Sequence, residues 1–257
     1  MPSLKDLKVK LFADGANLDM ISRMAANPLI KGFTTNPTLM RKAGITDYRG
    51  FARDVLNIVN DRPVSFEVFS DDFDGMELQA REIASWGENV FVKIPITNTR
   101  GEPSKPLIKR LSEAGVQINV TALMTAEQVG GILDSFVEGT RNFVSLFAGR
   151  IADTGRDPMP IVKRAVEIMR SSPQAELIWA SPRELLNVIQ ADEVGCHIIT
   201  ATDDVLKKLE VIGKDLDVFS LETVHMFWQD AEKAGYTIEI SQPAVASSTT
   251  AVQHRTK

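Results

Sequence analysis

The sequence predicts an α/β protein, a (β/α)8 TIM barrel with an extra C-terminal helix, and three observations carry that reading. Short apolar runs alternate with amphipathic stretches along all 257 residues. Eight strand–helix units in about 250 residues match the usual size of that barrel. The candidate strands also end in polar residues, where such a barrel builds its site. An open doubly wound sheet is the structural alternative. Against it, no GxGxxG follows the first strand, and the second strand ends in a polar cluster as well.

The candidate strands are 9–14, 32–36, 64–69, 90–96, 116–122, 142–149, 176–181 and 197–201. Between them, 47–60 places Phe51, Val55, Ile58 and Val59 on one side of a helix. The next helix, 74–86, opens on Asp74 as its expected N-cap. Helices at 125–136, 158–171, 182–194 and 203–212 follow the later strands, with Pro158 and Pro182 in first-turn positions that tolerate proline. The extra helix spans 220–234, and its Ser-Leu-Glu-Thr start resembles a capped terminus. Its apolar stripe is Val224, Phe227, Trp228 and Ala231. Most such stripes pack on the parent domain, and a minority bind another subunit. Residues 241–257 have no helical period and are expected to be mobile. The chain therefore reads as one domain over 1–240 followed by a tail.

Composition excludes several function classes. The net charge of -5 and the lack of a basic patch argue against nucleic-acid binding. No stretch at the start reads as a signal peptide, and no run of roughly 18 apolar residues occurs, so the expectation is a soluble, cytoplasmic protein with no membrane partner. The one cysteine, Cys196, excludes an internal disulfide and reads as a small core residue. The three histidines, His197, His225 and His254, are scattered, which leaves no metal site of the His-rich kind.

The chemistry starts from Lys93. The stretch Asn89-Val90-Phe91-Val92-Lys93-Ile94-Pro95-Ile96 is a buried parallel strand interrupted by one lysine. A buried amine tends to lose its proton and become a nucleophile toward carbonyl carbon. Taken alone, Lys93 has a second reading, as a strand end whose head reaches solvent or a carboxylate. The other strand ends favour the first. The first strand ends in Asp14, the second in Thr34-Thr35-Asn36-Pro37. The third carries Glu67, the fifth Asn119 and Thr121, the sixth Ser145, Phe147 and Arg150, and the seventh ends in Ser181. Alternate residues share a strand face, so Asn119 and Thr121 can enter one pocket, as can Ser145 and Phe147. Each has a bland alternative: a turn or N-cap for Asp14 and Asn36, a surface ion pair with Asp153 for Arg150. An amine, two carboxylates, an amide and a hydroxyl on five consecutive strands are hard to explain as packing.

The set suits Schiff-base cleavage of a sugar. Lys93 is the amine, Asp14 takes the hydroxyl proton, and Glu67 with Thr121 moves water on and off the carbinolamine. Thr35, Asn36, Asn119, Ser145 and Phe147 are the expected substrate contacts. Arg150 and Ser181 suit an anionic tail such as a phosphate.

Five segments resemble the transaldolase family, which includes the smaller fructose-6-phosphate aldolases. They are Phe12-Ala13-Asp14, Gly32-Phe33-Thr34-Thr35-Asn36-Pro37-Thr38-Leu39, Val92-Lys93-Ile94-Pro95-Ile96-Thr97, Gly115-Val116-Gln117-Ile118-Asn119-Val120-Thr121 and Phe147-Ala148-Gly149-Arg150-Ile151. The resemblance runs from about residue 8 to 234. It implies a metal-free, cofactor-free class I aldolase barrel with Lys93 as the Schiff-base lysine on the fourth strand, sugar phosphates as substrates, and a homo-oligomer. Within the family, Glu67, Phe147 and Asn119 follow the transaldolase form; the aldolases have glutamine and tyrosine at the first two. The resemblance thus implies transfer of dihydroxyacetone, with release of the free ketone, or action on a different anionic ketose, as alternatives. A repurposed, non-catalytic barrel is a third reading. Three positions depart from the pattern: Gly15 where many members have threonine, Ser-Leu-Phe at 145–147 rather than Ser-Pro-Phe, and the loop after the seventh strand. There Trp179-Ala180-Ser181 runs straight into Pro182-Arg183-Glu184, so Arg183 is expected to open a helix and point away. A sulfonated or larger tail then stays open.

Overall fold

Each of the eight apolar runs is a parallel strand in the computed structural model, and the strands close into a ring in sequence order. The structure describes residues 4–239. The strands are β1 (Lys10–Asp14), β2 (Ile30–Thr34), β3 (Val64–Glu67), β4 (Val90–Pro95), β5 (Ile118–Leu123), β6 (Asn142–Leu146), β7 (Ala175–Trp179) and β8 (Ile198–Ala201). β1 pairs with both β2 and β8, so no strand edge is left open. Burial on both faces explains why these strands are near-continuous apolar runs.

The period of two sorts their side chains. Phe12, Phe91, Phe143, Ile178 and Ile198 form a core inside the barrel, apart from the larger core beneath the helices. Phe143 stacks on Phe91 with centroids 4.1 Å apart and meets Phe12 edge-on at 5.6 Å. Gly32 makes room for this plug: a Cβ there would lie 2.4 Å from Cζ of Phe12. The next inward positions along the strands are polar, and there the site begins.

Ten α-helices accompany these strands among the described residues: α1 (Leu18–Ala25), α2 (Pro37–Lys42), α3 (Tyr48–Ile58), α4 (Phe73–Ala84), α5 (Lys105–Glu113), α6 (Ala126–Ile132), α7 (Ala148–Ala152), α8 (Met159–Met169), α9 (Leu186–Glu193) and α10 (Asp203–Leu206). Side chains of Asn17, Asn36, Asp47, Asp72 and Thr125 accept from helix N-terminal amides, each cap contributing about 1 kcal/mol. Several boundaries correct the sequence reading: the sixth strand, expected to run to 149, ends at Leu146 and α7 takes up Arg150, and two helix starts of the barrel move. Asp72, not Asp74, caps α4, because its carboxylate reaches the Gly75 amide while Asp74 lies in the first turn. The helix expected from 182 begins at Leu186, and a loop fills the interval.

Residues from Lys214 form a second compact unit. Its helix α11 (Leu216–Ala234) starts earlier than the expected 220. The Asp215 carboxylate accepts from the amides of Asp217 and Val218 and caps it there, so Ser220 is interior. Gly235, at φ 65°, ends it. None of its residues is buried. Residues 240–257, including the segment expected to be mobile, lie outside the described residues. Among the described residues no helix is long and apolar enough to cross a membrane.

Candidate active site

The polar strand ends converge on a cavity of about 580 Å³ at the C-terminal mouth of the barrel. Its floor holds Asp14, Glu67 and Lys93. Lys93 is 6% exposed and sits in register with Glu67 on one flanking strand and Asn119 on the other. Its Nζ donates to the Thr35 carbonyl at 2.9 Å and lies 3.2 Å from Glu67 Oε2. The two readings of Lys93 thus meet: the amine is buried, and it also has a carboxylate partner.

Asp14 is held from two sides. The Thr34 hydroxyl donates to its Oδ1 at 2.8 Å, and Asn36 Nδ2 donates to its Oδ2 at 3.3 Å. Thr34 and Thr200 hydroxyls lie 2.5 Å apart. With the Thr34 proton spent on Asp14, Thr200 is the donor in that pair. Burial pushes the Asp14 carboxyl above its ordinary range, and the Lys93 charge and the two hydrogen bonds pull against that without cancelling it. Asn36 does two jobs, since its Oδ1 also caps α2 at the Leu39 amide, 2.9 Å away.

Beneath the floor runs a second polar chain. Ser145 donates to Asn119 Oδ1 at 2.8 Å, and Asn119 Nδ2 donates to Ser65 Oγ at 3.0 Å. Asn119 is fully buried in this chain and does not line the cavity, although Ser145 does. Thr35 is also withdrawn: its hydroxyl donates to the Ser65 carbonyl at 2.9 Å, and its contribution to the site is the carbonyl facing Lys93. Thr121 lines the cavity with a buried hydroxyl that has no protein partner. The register slips between Val120 and Leu123, and Ala122 takes φ 66°, so a bulge turns this part of β5 toward the mouth.

The rim carries positive charge from Lys42, Arg150, Arg183 and Lys208, with Asp204 beside them. The guanidinium of Arg150 lies 5.9 Å from the Phe147 ring centre, and among the described residues no ion pair joins it to Asp153. Asp153 pairs with Arg183 instead, with Nε at 3.0 Å from Oδ1. Arg183 therefore lines the cavity, against the expectation that it points away. It stays in the loop between β7 and α9 because the Asn187 side chain accepts its amide at 2.7 Å and starts the helix later. Ser181, at φ 60°, lines the cavity too. Gly149 permits this loop to close in, since a Cβ there would sit 1.5 Å from the Ser181 carbonyl oxygen.

Sequence reasoning missed Thr34, Thr200, Lys42 and Lys208. The first two had a signal. Gly32 faces the interior, so Thr34 and not Thr35 shares its face, and Thr200 is the one polar side chain within β8. The two lysines come from helical segments that follow strands, where spacing gives no direction.

A family model described as Transaldolase/Fructose-6-phosphate aldolase matches residues 11–254. The chain belongs to that family. Its similarity to curated relatives runs over nearly their full length. A probable transaldolase of Thermoanaerobacter sp. (strain X514) is 36% identical over 231 residues, 90% of this chain and 100% of the relative. One from Clostridium acetobutylicum is 37% identical over 224 residues, covering 87% and 99%. Solved structures of lower identity share the fold alone: KGPDC from Streptococcus mutans (TM-score 0.53, 11% identity, 77% of this chain and 90% of that one) and thiamine phosphate pyrophosphorylase from Pyrococcus furiosus (0.51, 13%, 79% and 93%). As a member of the transaldolase/fructose-6-phosphate aldolase family, the chain is an enzyme.

Proposed function

We propose that the protein is a transaldolase that moves a dihydroxyacetone unit from a ketose phosphate to an aldose phosphate through a Schiff base on Lys93. The observation that carries this reading is the buried Lys93 amine, 3.2 Å from Glu67, on the floor of a cavity that also holds Asp14. Attack requires the amine to give up a proton, and the Glu67 carboxylate, 3.2 Å away, is the nearest base. The nitrogen lone pair adds to the ketone carbon, and the carbinolamine hydroxyl leaves as water with a proton returned by Glu67. A water between Glu67 and the unpartnered Thr121 hydroxyl would serve that step. Asp14 then takes the sugar hydroxyl proton while the carbon–carbon bond breaks, its electrons form the enamine, and an aldehyde leaves. The acceptor aldehyde runs the same steps backward.

Phe147 favours transfer over release. It lines the cavity but has no hydroxyl with which to protonate the enamine. Arg150, Ser181 and Arg183 hold the phosphate tail, and the positive rim draws anionic substrate to a chain whose net charge is -5. Arg183 at the rim supports a phosphate tail, and a sulfonated or larger anionic tail stays the alternative. In the same reading the chain works in the cytoplasm and self-associates through the apolar side chains of α11.

Borohydride trapping with fructose 6-phosphate tests the chemistry. A reduced three-carbon adduct on Lys93, read by peptide mass spectrometry, is expected, and Lys93→Ala should lose both adduct and transfer. Transfer retained in Lys93→Ala would refute the mechanism.

A further inference from the structure

The phenol of Tyr48 makes two contacts, both with the main chain of one residue. It accepts from the Glu67 amide at 2.7 Å and donates to the Glu67 carbonyl at 3.0 Å. In a parallel sheet the N–H and C=O of one residue point to the same neighbouring strand, and alternate residues point to the same side. Ser65 shows which side this is: its carbonyl accepts from the Thr35 amide, on the β2 side. Glu67 is two residues further on, so it too turns its main chain toward β2. But β2 ends at Thr34, and the chain has by then entered α2. The pairing between β2 and β3 stops at Ser65, while that between β3 and β4 continues to Glu67 and Lys93. The last residue of β3 would have an unpaired donor and acceptor, and Tyr48 supplies both missing partners.

We propose that Tyr48 is a positioning residue that stands in for the missing turn of β2 and fixes the Glu67 carboxylate against Lys93. The ring is itself fixed. It packs edge-on against Trp86 at 5.5 Å and Phe66 at 6.1 Å, and against Phe69 at 4.7 Å. The N-cap at Asp47 sets the start of α3 at Tyr48, so helix position and strand end are tied through a single hydroxyl. Burial holds the phenol proton on well above the ordinary tyrosine range, which keeps the group a donor and an acceptor throughout the working pH range. The clamp acts on the group proposed to carry protons during imine formation, and in that respect it rests on the Schiff-base reading.

The test compares wild type, Tyr48→Phe, Glu67→Gln and the double variant by rapid-quench borohydride trapping with fructose 6-phosphate. Phenylalanine keeps the ring packing and removes only the hydroxyl. Tyr48→Phe should slow adduct formation on Lys93 on the order of tenfold with little change in KM, since a displaced general acid loses rate before binding. In the Glu67→Gln background the same change should add nothing further, because residues acting through one group are not additive. Equal slowing in both backgrounds, or none, would overturn the proposal. Amide hydrogen exchange gives a readout independent of turnover. The Glu67 amide should exchange faster in Tyr48→Phe while those of Val92 and Phe33 do not change. Unchanged exchange at Glu67 sinks the clamp. No adduct in wild type, with faster Glu67 exchange in Tyr48→Phe, would sink the sugar chemistry and leave the clamp standing.

Discussion

At the scale of single residues, the environment of Asp14 bears on the proposed activity and on stability at once. Its carboxyl is raised above the ordinary value of 3.8, with burial as the largest cause. The proposed reaction needs it ionised, so activity should fall as pH drops through a value above the usual carboxylate range. The effect on folding has the opposite sign. The folded state holds this proton more tightly than the unfolded chain, so acidification between the two pKa values favours the fold at this residue. An acid limb of kcat that lies in the ordinary Asp range, measured with saturating donor, would contradict the assignment. Cys196 is the contrasting case: burial pushes its thiol up to about 12, which disfavours the reactive thiolate.

At the scale of elements, the site depends on short helices that follow strands. α2 begins at Pro37, and its cap, Asn36, also contacts Asp14. α7 carries Arg150 and approaches the β7 loop so closely that only glycine fits at 149. Gly149→Ala should push the loop and α7 apart and disturb Ser181 and Arg150 together. A loss of roughly 1–3 kcal/mol in stability is expected from the overpacking. KM for phosphorylated donors should rise by more than KM for the unphosphorylated sugar, because in the proposed reading the displaced groups hold the tail. Equal changes in the two KM values would show that these elements do not bind phosphate. Much of this was open to sequence reading as strand pattern. The short helices α2 and α7 were not, because five or six residues are too few for a helical period to show.

At the scale of the whole molecule, the barrel buries its own apolar surface and α11 does not. Val224, Phe227 and Trp228 are 59%, 64% and 62% exposed. So much exposed apolar surface on one helix fits a subunit contact. Light scattering should find an oligomer in the wild type, and Trp228→Asp should dissociate it while leaving the barrel folded by circular dichroism. A wild-type monomer at micromolar concentration would rule out self-association through α11.

The sequence by itself determined the barrel and pointed to most of the polar side chains that line the candidate cavity, because both follow from local rules. Strand periodicity shows which residues face inward, and Lys93, Glu67 and Asp14 stand out as polar groups at inward positions of apolar strands. Only the tertiary structure decided which of these residues meet the cavity. Thr35 and Asn119 are drawn into hydrogen bonds below or behind the floor, whereas Thr34 and Thr200 stand beside Asp14. Arg183 turns to the rim because Asn187 delays the helix. The partnership of Tyr48 with Glu67 joins a helix start to a strand end across 19 residues, and Glu67 takes it because β2 stops short. Such pairings depend on where strands end relative to one another, and closure of the barrel sets that stagger where no local pattern can.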